Sequence, residues 1–169
     1  LSRNRTFFGV EGQNTLEDAF VVVVGLGGVG SHAAHMLARS GVGKLRLIDF
    51  DQVTLSSLNR HAVATRADVG TPKATVLARH IKEFLPEADL DTRPVMFNDA
   101  VAADLLGPWR GTDRMPDYVL DCIDDVDTKL ELLHYCARNE LRVMCALGAV
   151  AKADPTRMHI ASLVDAQRD

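Results

Sequence analysis

The sequence predicts an α/β fold with a doubly wound, mostly parallel sheet, and two patterns lead to this prediction. An apolar β-branched run, Val21 to Val24, is followed directly by Gly25-Leu26-Gly27-Gly28-Val29-Gly30 and a helical stretch of small residues. Further along, apolar runs of strand length alternate with helix-length segments in the order β-α-β-α-β-α-β-α-β. A strand that passes through a glycine loop into a helix and then a second strand is the opening of a Rossmann-like βαβ unit.

The glycines of this loop predict an anion-binding site. Gly25 permits the tight turn out of the first strand, and Gly27 and Gly28 lack the Cβ that would keep a phosphate from the backbone N–H groups. Gly30 lets the following helix pack close to the sheet. The N-terminus of that helix carries positive partial charge, so these four glycines are the candidate phosphate-binding residues.

The other elements follow from the same patterns. Residues 1–19 are predicted to form an amphipathic helical arm, and residues 20–169 one nucleotide-binding domain. The first helix after the loop is expected to end near Arg39, because Gly41 and Gly43 follow it. Strands are predicted over 44–51, 89–95, 117–123 and 142–147, helices over 71–85, 99–106 and 127–139, and a C-terminal β-hairpin over 151–164.

Composition excludes several classes of protein. The 169 residues are 47% hydrophobic, which is enough for one domain with a core, and no apolar run approaches the roughly 18 residues of a membrane span. The formal net charge of −4 gives no basic footprint for nucleic acid across the whole chain. Cys122, Cys136 and Cys145 form no CxxC motif, so we expect small buried residues rather than a zinc site or disulfides. Since Leu1 is not an initiator methionine, we expect a longer protein.

Two charged residues are predicted to lie near the glycine loop. Asp49 stands 19 residues beyond Gly30, where a carboxylate of a nucleotide-binding βαβ unit accepts the ribose hydroxyls. Thr71 is a suitable N-cap and Pro72 a suitable first residue for the next helix, which places Lys73 in its first turn. A cation there opposes the helix dipole, so we expect a bound anion to balance Lys73.

The charges favour ATP over a dinucleotide. A dinucleotide needs its pyrophosphate cradled and its ribose held, whereas Arg60 and Lys73 supply the cations that a triphosphate requires. Asp124, with Asp125 beside it, stands at the end of the fourth predicted strand, where ligands bind in parallel sheets. Its carboxylate is a suitable ligand for Mg²⁺. ATP and Mg²⁺ are therefore the predicted ligands, and NAD remains an alternative.

The motifs stand in the order found in a known superfamily. They resemble those of the ubiquitin-activating-enzyme-like adenylyltransferases: Gly25 to Gly30, Asp49-Phe50-Asp51, Asn59-Arg60, Lys73 and Asp121-Cys122-Ile123-Asp124. The chain is more similar to one branch, the tRNA threonylcarbamoyladenosine dehydratases. That likeness lies in Gly28 to Ser31, Leu47-Ile48-Asp49, Asn59-Arg60, Val69-Gly70 with Lys73, and Asp154-Pro155-Thr156.

The resemblance implies an adenylation reaction on a Rossmann-like fold. In that superfamily a substrate carboxylate attacks the α-phosphate of ATP, pyrophosphate leaves, and an acyl-adenylate forms. In the dehydratase branch the carboxylate belongs to the threonylcarbamoyl group on adenosine 37 of tRNA. An internal nitrogen then closes a ring and AMP leaves, with net loss of water.

The resemblance also implies roles residue by residue. The glycine loop would cradle phosphate, Asp49 would hold the ribose, and Asp124 would bind Mg²⁺. Arg60 and Lys73 would contact the phosphates, and Asp51 and Asn59 would belong to the nucleotide site. In a homodimer, Arg5 or Arg3 would be donated to the partner's site. Such a protein would be cytoplasmic or mitochondrial, with outer-membrane attachment only through a segment outside this chain.

The chain departs from the family pattern at a few positions, and other functions stay open. His61 stands where many relatives carry Gln, Ser57 where many carry Asn, and residues 147–150 replace a more glycine-rich stretch. One alternative is an adenylyltransferase that activates the C-terminal glycine of a ubiquitin-like or sulfur-carrier protein. The others are an NAD-dependent oxidoreductase and a pseudoenzyme scaffold that keeps the dimer without turnover.

Overall fold

The computed structural model describes residues 2–147 and 159–165. Helices α1 to α5 span Ser2–Asp18, Gly28–Ser40, Lys73–Phe84, Ala102–Leu105 and Val126–Arg138. Strands β1 to β5 span Phe20–Val24, Lys44–Ile48, Asp89–Arg93, Tyr118–Asp121 and Val143–Cys145. Short 3₁₀ helices cover Leu55–Asn59, Arg66–Asp68 and Leu163–Asp165.

The five strands form one sheet in the order β3-β2-β1-β4-β5, and every pairing is parallel. The chain order reverses between β1 and β4, so the connections leave these two central strands on opposite sides. Val24 at the end of β1 is level with Ile48 of β2 and Asp121 of β4. In doubly wound sheets, ligands bind at the carboxyl ends of the strands where the order reverses. The predicted fold class is confirmed, and this edge is the candidate site.

Each face of the sheet is covered by its own apolar core, and β1 contributes to both. Val21 and Val23 face α2 and α3, whereas Phe20, Val22 and Val24 face α4 and α5. All five residues of β1 are buried. A strand covered on both sides has no polar face, which explains the continuous apolar run that the sequence shows.

The predicted helical arm is present as α1, but only part of it packs on the core. Gly9 has a positive φ of 72°, and it kinks α1 into two helical segments. Leu16, after the kink, packs against the core on the α2 side of the sheet. Phe7, before it, is 82% exposed. The expected amphipathic packing therefore holds for the second segment and is wrong for the first.

Strand ends differ from the prediction because the site acids turn out of the sheet. The second strand ends at Ile48 rather than residue 51, and the fourth ends at Asp121 rather than residue 123. The helix expected to start with Pro72 starts at Lys73, since Pro72 pairs with Gln52 in an isolated antiparallel bridge.

The predicted hairpin falls largely on residues that the structure does not describe. Its turn, Asp154-Pro155-Thr156, lies outside the described residues, as do Gly148, Ala149 and Val150. Residues 159–162 have no regular secondary structure. Among the described helices, none has the length and apolar character needed to cross a membrane.

Candidate active site

Two glycines of the loop are required by close backbone contacts. Gly25 has a positive φ of 85°, and a Cβ on it would lie 2.7 Å from the carbonyl oxygen of Cys122. A Cβ on Gly30 would lie 1.8 Å from the carbonyl oxygen of Gly25. The loop after β1 is thus pressed against the loop after β4. Gly25 thus permits the tight turn out of β1, and Gly30 permits the close approach of α2, as the sequence predicts.

The middle of the loop is instead open. Gly27 precedes the first residue of α2, and a Cβ there would meet no atom within 4 Å. The Ser31 hydroxyl fixes this end of the helix, because it donates to the Gly27 carbonyl (2.6 Å) and accepts from the Ala62 N–H (3.0 Å). The first N–H groups of a helix have no acceptor within it. The open face at Gly27 is therefore suited to a phosphate.

Asp49 braces the glycine loop from the end of β2. Its Oδ2 accepts the Leu26 N–H at 2.6 Å, and its Oδ1 accepts the Asp51 N–H at 2.7 Å. Burial raises the pKa of Asp49, while the hydrogen bonds from these two N–H groups act in the opposite direction. The structure thus gives Asp49 a bracing role in addition to the predicted ribose contact, which remains a prediction.

Lys73 is balanced by a carboxylate of its own chain. Its Nζ lies 2.7 Å from Oδ2 of Asp51, and the Lys73 side chain is 8% exposed against 49% for Asp51. The sequence placed both residues at the nucleotide site but did not predict that they pair. That a bound anion also balances Lys73 stays a prediction. The pair places a buried cation and a half-exposed carboxylate beside the N-terminus of α3.

Arg60 lies over the glycine loop. A Cβ on Gly28 would come within 3.4 Å of the Arg60 side chain. Nη1 of Arg60 donates to the Ser56 carbonyl (3.0 Å) and to Oδ1 of Asn59 (3.2 Å), and both Arg60 and Asn59 are exposed. Within the described residues, its other guanidinium nitrogens make no hydrogen bond. A cation is thus held beside the glycine loop. Its contact with a phosphate remains a prediction.

The two acids that follow β4 have different tasks. Asp125 caps α5, accepting from the backbone N–H of Thr128 at 2.9 Å and from its hydroxyl at 2.7 Å. The hydrogen bond from the Thr128 N–H lowers the pKa of Asp125. Asp124 is exposed, and in the described part of the chain its carboxylate has no hydrogen-bond partner. Asp124 is the acid available to a metal.

No ready-made cage for a metal ion exists among residues 2–147 and 159–165, where no group of three or more His, Cys, Asp or Glu side chains converges. Mg²⁺ differs from zinc in this respect, since it commonly uses one or two carboxylates together with phosphate oxygens and water. The exposed Asp124, in the turn that follows β4, is suited to that mode.

Arg5 lies far from the site of its own chain. Its guanidinium pairs with Glu17 at 3.6 Å. The two residues line a cavity of about 730 Å³ with Gly43, Lys44 and Asp89, at the edge where β2 and β3 begin. The glycine loop is at the opposite edge. Within one chain the structure therefore does not bring Arg5 to the predicted site, and its role there stays a prediction about a second copy.

Two of the three departures from the family pattern, Ser57 and His61, have defined structural roles. Ser57 closes a 3₁₀ turn, since its hydroxyl donates to the Thr54 carbonyl (2.8 Å) and accepts from the Thr54 N–H (2.9 Å). His61 is buried, and its Nδ1 accepts from the Ala64 N–H at 3.1 Å. Burial, reinforced by the charge of Lys73, lowers the pKa of His61 to about 4. His61 is therefore neutral beside the cationic site.

A buried cluster at the end of β4 was not foreseen from the sequence. Asp121 is fully buried, and its Oδ2 accepts from Nζ of Lys129 (2.7 Å) and Sγ of Cys145 (2.8 Å). One signal was present: an acid that ends a buried strand needs a buried partner. The sequence does not show which residue supplies it.

Comparison with known proteins identifies the family of this chain. The ThiF family model matches residues 1–164. The chain belongs to the ThiF family. It is 41% identical over 169 residues to tRNA threonylcarbamoyladenosine dehydratase 2 of Saccharomyces cerevisiae. The match covers all of this chain and 37% of the yeast protein. It is 34% identical over 168 residues to the tRNA threonylcarbamoyladenosine dehydratase of Bacillus subtilis, covering 99% of this chain and 64% of the relative.

A solved structure shares the fold of this ThiF-family chain. The crystal structure of E. coli tRNA N6-threonylcarbamoyladenosine dehydratase, TcdA, in complex with ATP superimposes with a TM-score of 0.90 at 33% identity, over 98% of this chain and 65% of that one. These findings confirm the superfamily resemblance and its dehydratase branch. The chain spans between about a third and two thirds of the length of these relatives.

Proposed function

We propose that this ThiF-family protein is an ATP-dependent tRNA threonylcarbamoyladenosine dehydratase. It adenylates the threonylcarbamoyl carboxylate on adenosine 37 of tRNA and cyclises it, with release of pyrophosphate and AMP. The observation that supports this best is the open glycine loop with Arg60 held over Gly28 and the Asp51–Lys73 pair nearby. The similarity to the yeast and bacterial dehydratases supports the substrate.

The proposed chemistry requires charge neutralisation more than a nucleophile. A carboxylate is a poor electrophile because it is anionic and would have to expel oxide. Transfer of AMP removes its charge and supplies a stabilised leaving group. The protein then has to align the carboxylate with the α-phosphate and to stabilise the charge that develops on the phosphates.

The described residues divide this work between them. The N–H groups of Gly27 and Gly28, at the N-terminus of α2, would bind phosphate oxygens, and Asp49 would accept from the ribose. Arg60 and Lys73 would stabilise phosphate charge as pyrophosphate leaves. In the nucleotide-bound protein, Lys73 would share its ammonium between Asp51 and the phosphates. Asn59, which holds Nη1 of Arg60, would orient the guanidinium.

Magnesium is the metal that the donor set favours. The exposed carboxylate of Asp124, which has no ion pair within residues 2–147 and 159–165, would hold the ion together with phosphate oxygens. When bound, Mg²⁺ would neutralise charge on the departing pyrophosphate.

A homodimer would complete the site by donating an arginine. Arg5 is half-exposed, and among the described residues its one ion pair is with the partly exposed Glu17 at 3.6 Å, so an exchange of partners costs little. Arg3 is exposed on the same helix. We propose cytoplasmic or mitochondrial placement by analogy with the family resemblance.

The main alternative is activation of the C-terminal glycine of a ubiquitin-like or sulfur-carrier protein. It would use the same nucleotide site, because the reaction is also an adenylation of a carboxylate. The similarity to proteins named as dehydratases favours tRNA. Similarity to an ATP-bound structure disfavours the NAD-dependent oxidoreductase.

Incubation of the full-length protein with ATP, Mg²⁺ and tRNA bearing threonylcarbamoyladenosine tests this proposal. The tRNA is digested and the modified nucleoside is weighed by mass spectrometry. We expect an ATP-dependent loss of one water from the nucleoside. If the nucleoside is unchanged and the protein still binds ATP, the substrate is instead the C-terminal glycine of a carrier protein. Failure to bind ATP would refute the nucleotide site itself.

A further inference from the structure

The buried cluster at the end of β4 joins three elements of the sheet edge that carries the site. Asp121 is 0% exposed, and a carboxylate in that position is unstable unless it is paired and hydrogen-bonded. Its Oδ1 accepts the Ile123 N–H at 3.0 Å, and its Oδ2 accepts from Lys129 and Cys145. One carboxylate thus links β4 to the turn after it, to α5 and to β5.

Lys129 directs its ammonium entirely into this cluster. Nζ donates to Asp121 at 2.7 Å and to the Ala146 carbonyl at 3.0 Å, and it lies 3.5 Å from Sγ of Cys145. Lys129 is the fourth residue of α5, where a cation opposes the helix dipole. The side chain is only 13% exposed, so solvent does little to offset that cost. The Asp121 carboxylate offsets it instead.

Cys145 completes the set as a neutral donor. Burial, with a further contribution from its hydrogen bond to Asp121, raises the pKa of Cys145 to about 11. The thiol therefore stays protonated and donates a hydrogen bond to the carboxylate of Asp121. Asp121 receives three donors, and every one of them comes from a residue at the carboxyl edge of the sheet.

The turn between β4 and α5 is held at both ends by side chains. Asp121 accepts from the backbone of Ile123, and Asp125 accepts from the backbone of Thr128. Asp124 lies between these two anchors, exposed and without a hydrogen-bond partner among the described residues. The position of its carboxylate is thus determined by the turn and not by contacts of its own.

We propose that Lys129 is a positioning residue, which acts through Asp121 to fix the β4–α5 turn and so hold Asp124 where the metal of the nucleotide binds. This inference rests on the proposed function, since it assumes an ATP site that uses a divalent ion. Removal of Lys129 would leave the buried Asp121 carboxylate without its cation. The carboxylate would then turn toward water or another donor, which would release the Ile123 N–H and shift Asp124.

The test separates metal-dependent from metal-independent binding of the nucleotide. The affinity of the full-length protein for ATP is measured by calorimetry, once with Mg²⁺ and once with EDTA. Lys129→Met is compared with wild type and with Lys82→Met as a matched control. Lys82 also ties a helix to backbone carbonyls, those of Pro86 and Ala88, but it lies away from the site. Thermal unfolding of each variant is recorded in parallel.

We expect Lys129→Met to weaken ATP binding in Mg²⁺ by about 10- to 100-fold, the usual cost of losing a group that orients a metal ligand. In EDTA the variant should match wild type. Lys129→Arg should recover most of the Mg²⁺-dependent affinity, because a guanidinium retains the charge and the donors. Lys82→Met should lower the unfolding temperature without changing the ratio of the two affinities.

Two results would overturn the proposal. In the first, Lys129→Met changes affinity equally in Mg²⁺ and in EDTA, which means that Lys129 supports the fold alone. In the second, only the unfolding temperature changes. If Lys129→Met does not fold, Lys129→Gln, which removes the charge but keeps a donor for Asp121, takes its place and should show the same Mg²⁺-dependent loss of affinity. A wild-type protein that binds no ATP in either buffer would instead refute the proposed function.

Discussion

Replacement of His61 by Gln should remove a pH-dependent loss of stability. His61 is buried, with 7% of its surface exposed. Burial lowers its pKa to about 4, with smaller contributions from the charges of Lys73 and His32, while Asp68 acts in the opposite direction. Its Nδ1 accepts a backbone N–H, so the neutral ring carries its proton on Nε2. The folded chain therefore holds His61 neutral at pH values where the unfolded chain protonates it.

The size of the effect follows from proton linkage. An unfolded histidine has a pKa of about 6.5, so the unfolded state takes up a proton as the pH falls below that value. The folded state does so only near its own pKa of about 4. Stability is thus lost as the pH falls, by about 2 kcal/mol between about pH 7.5 and about pH 5. At pH values below both the folded and the unfolded pKa of His61, the total loss in the free energy of unfolding is about 3 kcal/mol.

Urea unfolding of wild type and His61→Gln at these two pH values measures the effect. Gln is uncharged at both pH values. We expect wild type to lose about 2 kcal/mol more than the variant on acidification. His134→Gln, which replaces an exposed histidine of α5, is the control and should behave as wild type. Equal losses in wild type and His61→Gln would refute the argument.

Three further substitutions test the fold and the site. Arg46→Met removes the buried cation bonded to Asp91 at 2.9 Å, so urea unfolding should show a loss of about 3 to 5 kcal/mol; an unchanged midpoint would contradict this. Lys73→Ala should abolish AMP formation with little loss of stability, because Asp51 is half-exposed; undiminished turnover would refute its role. Gly30→Ala places a Cβ 1.8 Å from a carbonyl oxygen, so calorimetry should detect no ATP binding, and wild-type affinity would show that the loop adapts.

Much of the fold could be predicted because its signals are local. The run Val21 to Val24 and the glycine loop specify a strand, a turn and a helix within about twenty residues, and the structure has all three. Element ends depend on contacts that lie outside the local pattern. The apolar run predicts that Asp49 lies inside a strand, whereas in the structure its carboxylate turns back to accept the N–H of Leu26.

Pairings between distant residues could not be predicted in the same way. Lys129 and Asp121 belong to different elements, and Cys145 reaches them only because β5 lies beside β4. The Asp51–Lys73 pair likewise depends on how the long segment after β2 folds back to α3. Periodicity reports which face of an element is buried. It does not report which polar group meets which across the core.

The arm shows the same limit at the surface. Its helical character follows from its composition, but the kink depends on the positive φ of Gly9. Arg5 was predicted to serve a partner's site, and in a single chain it pairs with Glu17. The hydrophobic pattern of one chain does not show which of its residues contact a second copy.

Transfer of a heavy oxygen isotope from substrate to AMP tests the central claim most directly. The full-length protein is supplied with ATP, Mg²⁺ and tRNA whose threonylcarbamoyl carboxylate carries the label, and the released nucleotides are weighed. If the carboxylate attacks the α-phosphate, one labelled oxygen leaves in AMP when the ring closes. Label in inorganic phosphate together with ADP would mean activation at the γ-phosphate, and label found only in water would mean that no phosphate ester of the carboxylate forms. Either result would contradict adenylation at this site.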